Sequence, residues 1–301
     1  IWDDMPYSDA LKGIESTNPT YDTQESIYNT VFTLLNDAKS LLGGAPGSVV
    51  PGSDDVFFGG DIAAWSRVAD ALIARARMKQ GDLNGAMSAA RESFASAEEN
   101  LIYQYPDANA AGGWFRFNRD REGDIEFHPT LGGILSGLND TLRLNLFNPT
   151  FLTNHPYMVA DFPQEMVTYR EMQFIIAESD FRMNGGTQDG YDAYIHGIKA
   201  SFARCGFTEE QADAYIAQPE IGKGVGNLTL EDIMIQKYIG MYLQPEAYND
   251  WRRTGIPSLV PVSGNAVPVR WHYASDEYLF NSNSPSEAEV NIFTDKVGWN
   301  R

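Results

Sequence analysis

The sequence predicts an all-α fold: helical hairpins forming a scaffold that carries long irregular loops. Three observations carry this. Apolar residues recur at the 3.6-residue period in several separate stretches. Two joints between such stretches are short and hold glycine, as in Gly81-Asp82 and Asn184-Gly185-Gly186. Between Asn100 and Val167 that period is missing over any great length.

The first helix opens at residues 21–25, where Asp22 or Thr23 can cap the free N–H groups and Glu25 adds negative charge. Ile27, Val31, Leu34, Leu35, Ala38, Leu41 and Leu42 make its stripe, and Gly43-Gly44 ends it. Residues 43–60, rich in Gly, Pro and Ser, read as an exposed loop. Asp61 caps a second helix with Ala64, Trp65, Val68, Ala69, Leu72, Ile73, Ala76 and Met78 inward. After Gly81-Asp82 a third runs through Ala86, Ala89, Ala90 and Phe94. A similar pair follows later, from Met172 to Phe181 and from Tyr191 to Phe202. The two units resemble tetratricopeptide-type hairpins, although they lie far apart and not in tandem. Generic helical hairpins would show much the same pattern. A further helix is expected from about Leu230, capped by Thr229, to Leu243.

Residues 100–167 read as an irregular insertion with one short helix near 129–138. Gly112-Gly113, the charged run at 119–122 and several prolines break any period. The tail from Gly255 reads as loop. Long loops on a compact scaffold usually serve binding.

Composition removes several function classes. The chain has 301 residues, enough for one or two structural units, and 43% of them are hydrophobic, which rules out disorder as a class. No apolar run is long enough to cross a bilayer as a helix. Its 22 basic and 41 acidic residues leave a net charge of −19, a body that repels phosphate backbones, so no nucleic-acid partner is expected. One cysteine excludes a disulfide framework and a Cys-based zinc site. The chain opens at Ile1 without an initiator Met, a leader or a lipid-bearing Cys, so a processed or truncated product, or the ordered part of a longer chain, is expected.

Catalytic patterns are missing. There is no GxSxG, HExxH, Walker-type loop or strand-borne GxGxxG. The glycine-rich 222–226 stretch follows no strand and reads as a flexible loop. His128, His155, His196 and His272 have no metal-binding spacing, so neither metal nor cofactor is expected. Cys205 stands beside Arg204, which could lower its pKa, but with no His nearby it reads as inert. The acid pairs Asp54-Asp55, Glu98-Glu99, Glu209-Glu210 and Glu231-Asp232 sit at helix ends or in acidic loops, so glycoside hydrolysis is the weaker reading.

Aromatic residues are abundant at 12%. Trp114, Phe115, Arg116, Phe117 and Asn118, followed by Arg119, fall inside the irregular insertion. Extended, that run would alternate ring faces with hydrogen-bond donors, the combination a sugar's C–H faces and hydroxyls require. Trp114, Phe115, Arg116, Phe117 and Asn118 are therefore the candidate ligand contacts, and Tyr103 and Tyr105 could extend the platform. The same rings could instead anchor a long loop to the helices.

Five ordered blocks carry a family resemblance. WDDMPYSDALKG at 2–13 with PTYDTQESIY at 19–28 is the first. GDIAAW at 60–65 with ADALIARARM at 69–78 is the second, and TYREMQFIIAE at 168–178 the third. YNDWRRTGIP at 248–257 and VPVRWHY at 267–273, the latter with Glu277 and Asn281, complete the set. Together they resemble the SusD/RagB family, the SusD-like group of starch-binding outer-membrane lipoproteins. The resemblance implies a single helical domain over 1–301 that lacks an N-terminal portion with the lipid-bearing Cys. It implies lipid anchoring at the outer face of an outer membrane and a SusC-like TonB-dependent transporter as partner. It also implies a nutrient ligand, usually an oligosaccharide and less often a peptide, held without catalysis. Arg252, Arg253 and Arg270 match family positions and are expected to hold loop carbonyls or buried carboxylates. No family motif reaches the Trp114 stretch.

Overall fold

The computed structural model describes residues 2–44, 47, 50–106, 110–148, 155–264 and 266–300. Ile1, part of the 43–60 loop and part of the 100–167 stretch lie outside these described residues. The fold is helical, as the periodicity predicts, with hairpins as its scaffold.

Strands β1 (Met5–Pro6) and β2 (Tyr21–Asp22) pair antiparallel ahead of α1 (Gln24–Leu42), which Thr23 caps by accepting from the Ser26 N–H at 3.2 Å. Helix α2 (Ile62–Gln80) starts where Asp61 accepts from the Ala63 and Ala64 N–H groups. It ends on Gly81, whose φ of 75° is the left-handed conformation glycine adopts without strain. Helix α3 (Leu83–Glu92) turns back along α2. The second hairpin is α7 (Tyr169–Asn184) and α8 (Gln188–Arg204), again joined through a left-handed glycine, Gly185.

Helix α3 lies on α7, and α9 (Glu209–Ile216) on α8; α10 (Leu230–Gly240) crosses both α7 and α8. Small residues permit these approaches. A Cβ at Gly197 would stand 2.8 Å from the ring of buried Phe174. The core includes Ala71, Ala74, Met172, Phe174, Ile198 and Ile233, all closed to solvent.

Charges join α2, α7 and α10 to α11 (Pro245–Thr254). Arg75 grips Glu171 at 2.7 and 2.5 Å, and Lys79 reaches Glu246 at 3.0 Å. Lys237 meets Asp250 at 2.7 Å, while Arg253 forks onto Glu178 and reaches Asp250 at 2.8 Å. Burial works to raise the Asp250 carboxyl pKa, but the flanking Lys237 and Arg253 charges outweigh it and hold it low. Arg252 donates to the Val269 carbonyl at 3.1 Å and to Asn249 at 2.5 Å. Arg270 lies over the Tyr273 ring and donates to the Trp271 carbonyl at 3.4 Å. These three arginines thus hold loops and buried carboxylates.

The 100–167 stretch has a neck. Strands β3 (Leu101–Tyr103) and β4 (Gln164–Val167) pair antiparallel across it. Asn100 accepts from the Tyr169 N–H at 2.6 Å, and Gly112 N–H donates to the Ala160 carbonyl at 3.0 Å. Inside, α5 (Pro129–Gly137) occupies the place expected for a short helix. Two further helices were not expected there: α4 (Gly113–Asp120) and α6 (Thr141–Phe147). Leu131, Leu135, Phe147 and Tyr157 form a second small core with Ile239 of α10.

Other expectations need correction. The apolar stripe of α1 is at best half-buried, and Leu34 and Leu41 are 56% and 80% exposed. Helix α10 stops at Gly240 rather than Leu243. The tail expected as loop contains α12 (Ser275–Phe280).

Candidate functional site

The aromatic stretch is helical, not extended. Residues 114–119 lie in α4, which starts at Gly113 behind Gly112. Two i,i+4 pairs support the turn: Arg119 over the Phe115 ring at 5.7 Å and Arg121 over the Phe117 ring at 5.9 Å. The alternation expected of an extended run is therefore replaced by helical spacing. Trp114 and Phe117, three apart, share a face and are 37% and 43% exposed. Arg116 is exposed, Phe115 half-buried, and Asn118 buried.

The N-terminal end of α4 closes a small cavity. Trp114 and Phe115 line it with Tyr105, Tyr157, Phe162 and Arg204. Its volume is about 20 Å³, room for about one water molecule and far below a saccharide ring. Arg204 stands over Tyr157 at 4.4 Å and Phe162 at 4.1 Å and reaches Glu165 at 2.8 Å. Burial would raise the Glu165 carboxyl pKa, but Arg170 and Arg204 beside it hold it below the usual range. The Cys205 thiol lies 2.9 Å from the Tyr157 hydroxyl, and burial raises its pKa despite Arg204. Tyr157, Phe162 and Arg204 had no signal in the sequence near Trp114, because they arrive from distant segments. Tyr105 was anticipated as an extension of the platform and does line the cavity; Tyr103 packs edge-on to Tyr105 and Phe57.

His155 sits behind this wall, fully buried. Its Nδ1 accepts from the Tyr157 N–H and its Nε2 faces the Tyr242 hydroxyl, both at 3.1 Å. Burial lowers its pKa from 6.5 to about 4, opposed in part by a hydrogen bond with the Phe147 backbone. The folded state therefore excludes a proton that the unfolded chain accepts near pH 6.5. The stabilisation is whole above pH 6.5 and is lost progressively as pH falls toward 4, by about 3 kcal/mol. Urea denaturation at pH 7 and pH 4.5 is expected to show this loss, and His155→Gln is expected to show a smaller one. An unchanged slope in the variant would assign the pH dependence to other groups.

Beyond the C-terminal end of α4 the surface opens. A cleft of about 830 Å³ is lined by residues 123–130 and by Val260, Pro261 and Val262. It is linked to α4 through Arg121, which stacks on Phe117 and donates to Asp124 at 2.7 Å. A second depression, about 800 Å³, lies where the chain ends meet, among Asp3, Asp4, Gln24, Tyr28 and Trp299. Its groups are engaged in holding those ends together. Asp3 accepts from the Gly298 N–H at 2.6 Å, Gln24 accepts from the Trp299 N–H at 2.8 Å, and Arg252 covers the Trp299 ring.

The acid pairs are engaged as well. Asp55 accepts from three backbone N–H groups and from Trp65, and Asp232 completes the capping box with Thr229. Glu99 accepts from the Ala95 N–H, and Glu209 and Glu210 open α9. No metal-binding group of three or more His, Cys, Asp or Glu exists among the described residues.

The family model described as "Starch-binding associating with outer membrane", SusD-like, matches residues 1–154 and 132–274. No curated protein matches the chain. Among solved structures, a chitin-binding protein superposes with a TM-score of 0.80 at 24% identity, covering 100% of this chain and 77% of its own. A SusD/RagB family protein from Bacteroides thetaiotaomicron superposes with a TM-score of 0.78 at 21% identity, covering 99% and 76%. A chitin-binding SusD homologue from Flavobacterium johnsoniae reaches 0.77 at 20% identity, covering 100% and 77%. The five sequence blocks, the hairpin scaffold and a family match spanning most of the length agree, and the chain belongs to the SusD-like family.

Proposed function

We propose that this protein is a non-enzymatic, cell-surface nutrient-binding component of an outer-membrane uptake system. A lipid anchor would hold it to the membrane, and a SusC-like TonB-dependent transporter would be its partner. The ligand class is a glycan. The observation that carries this reading is the exposed ring pair Trp114 and Phe117, presented on a helix whose stretch is pinned at its neck to the scaffold. Rings fixed in this way offer flat apolar faces without a large ordering cost on binding. Family membership and the chitin-binding relatives support the same class.

Mechanistically, the ligand lies along the outer face of α4, with ring C–H faces on Trp114 and Phe117 and hydroxyls on the exposed Arg116. Asn118 is buried beneath this face and offers the ligand no exposed surface. Trp114→Ala is expected to weaken glycan binding about tenfold, a loss near 1.4 kcal/mol, by isothermal titration. Unchanged affinity would remove α4 from the site.

A further inference from the structure

We propose that His155 is an acid-released latch: on taking up a proton it unseats the ring wall behind Trp114 and, with that wall, the start of α4. That α4 carries the ligand rests on the reading above; the latch itself does not.

The latch follows from the hydrogen bonds. The Tyr157 N–H can only donate, so the His155 Nδ1 it meets at 3.1 Å bears no proton, and the neutral ring carries its proton on Nε2, toward the Tyr242 hydroxyl. A proton added to Nδ1 sets two donors face to face in a site closed to solvent. Both residues that His155 holds, Tyr157 and Tyr242, line the cavity behind Trp114. The Tyr157 ring stands 4.6 Å from that of Phe162, and Tyr242 stacks on Phe147 at 4.3 Å. The same segment seats α4. The His155 carbonyl closes a turn by accepting from the Met158 N–H at 2.9 Å, and the Ala160 carbonyl just beyond accepts from the Gly112 N–H at the head of α4.

The surrounding groups do not take the proton instead. Burial holds Tyr157, Tyr238 and Tyr242 protonated and raises the pKa of the Cys205 thiol on α8. Arg143 of α6, Arg170 of α7 and Arg204 of α8 stay charged at any pH of interest. Asp140 is engaged by Arg143, and Glu165 of β4 is held low by Arg170 and Arg204. Among the described residues no carboxylate bonds to His155. Acidification is therefore expected to loosen Trp114 from its place and, on the glycan reading, to weaken binding.

Cys205 reports the latch, because it is the chain's single cysteine and its thiol lies 2.9 Å from the Tyr157 hydroxyl. The whole chain is labelled with 4,4′-dithiodipyridine, which reacts with thiols in mild acid, and each rate is divided by that of glutathione at the same pH. His155 titrates at about 4 in place and 6.5 when freed, so labelling is expected to be about twentyfold faster at pH 5 than at pH 7. The profile is expected to be flat above pH 6.5 and to rise about tenfold per pH unit below it. His155→Asn, which keeps an acceptor near the Nδ1 position but takes no proton, is expected to lose this rise. Hydrogen exchange of residues 112–120, corrected for its intrinsic pH dependence, is expected to rise with labelling, while far-UV circular dichroism stays unchanged.

Labelling that is the same at pH 7 and pH 5 would overturn the latch, as would an equal rise in His155→Asn. Should that variant not fold, the native profile decides: a rise that begins only below pH 5 belongs to carboxylates and overturns it too. Loss of circular dichroism in step with labelling would mean global unfolding instead. Faster labelling without faster exchange over 112–120 would overturn the hold on α4. No ligand enters these measurements, so their failure leaves the glycan reading standing, and failure of Trp114→Ala to weaken glycan binding leaves the latch standing.

Discussion

Arg253→Ala is expected to destabilise the protein by about 3–5 kcal/mol, the range for removing one partner of a buried ion pair. Glu178 is fully closed to solvent, and Arg253 forks onto it while also reaching Asp250. Among the described residues, truncating Arg253 leaves Glu178 paired with Arg182, at 2.9 Å, and Asp250 with Lys237. Two carboxylates would then be buried with fewer charges against them. The effect belongs to charge as well as to packing, so Arg253→Lys is expected to recover only part of it, because a point charge cannot fork. Urea denaturation followed by far-UV circular dichroism measures the loss. A change below 1 kcal/mol would show that the α7–α11 junction does not depend on this pair.

Arg143→Ala is expected to have a comparable effect, again about 3–5 kcal/mol. This guanidinium has no exposed surface. It donates to Asp140 at 2.6 Å, to Ser201 at 2.9 Å and to Gln236 at 3.2 Å, and it lies 4.5 Å from the Phe202 ring centre and 5.0 Å from that of Tyr215. It therefore ties α6, inside the 100–167 stretch, to α8 and α10 of the scaffold. The double variant Asp140→Asn/Arg143→Met is expected to recover at least half of the loss, because it removes the stranded charge while keeping most of the volume. Failure to recover would mean that the hydrogen bonds to Ser201 and Gln236 matter more than the ion pair. Since α6 shares its core with α5, the alanine variant is also expected to loosen the stretch that carries α4.

Much of the scaffold was legible because its signals are short-range. Thr23, Asp61 and Thr229 cap the helices they were expected to cap, and Gly81 and Gly185 turn the two hairpins. A cap and its helix start lie within three residues, and a 3.6-residue period shows itself over three or more turns. Helix α4 escaped for the converse reason. Its eight residues are rich in Trp, Phe and Asn, weak helix formers, and begin at two glycines. What secures it is the Phe115–Arg119 and Phe117–Arg121 stacking together with burial of Asn118, and the last of these is tertiary. The stripe of α1 misled in the other direction: periodicity shows that a helix has an apolar side but not how far neighbours cover it.

From the residues alone came the helical class, the caps and turns, the absence of recognisable catalytic patterns, and the five blocks that mark the family. Tertiary structure alone decided which rings meet solvent, that Trp114 backs onto a cavity too small for a sugar, and that residues 123–130 face Val260 to Val262 across an open cleft. The division follows from distance along the chain. Helices are specified by neighbours a few residues apart, whereas a binding surface is assembled from segments more than a hundred residues apart, and no local pattern records which of them will meet.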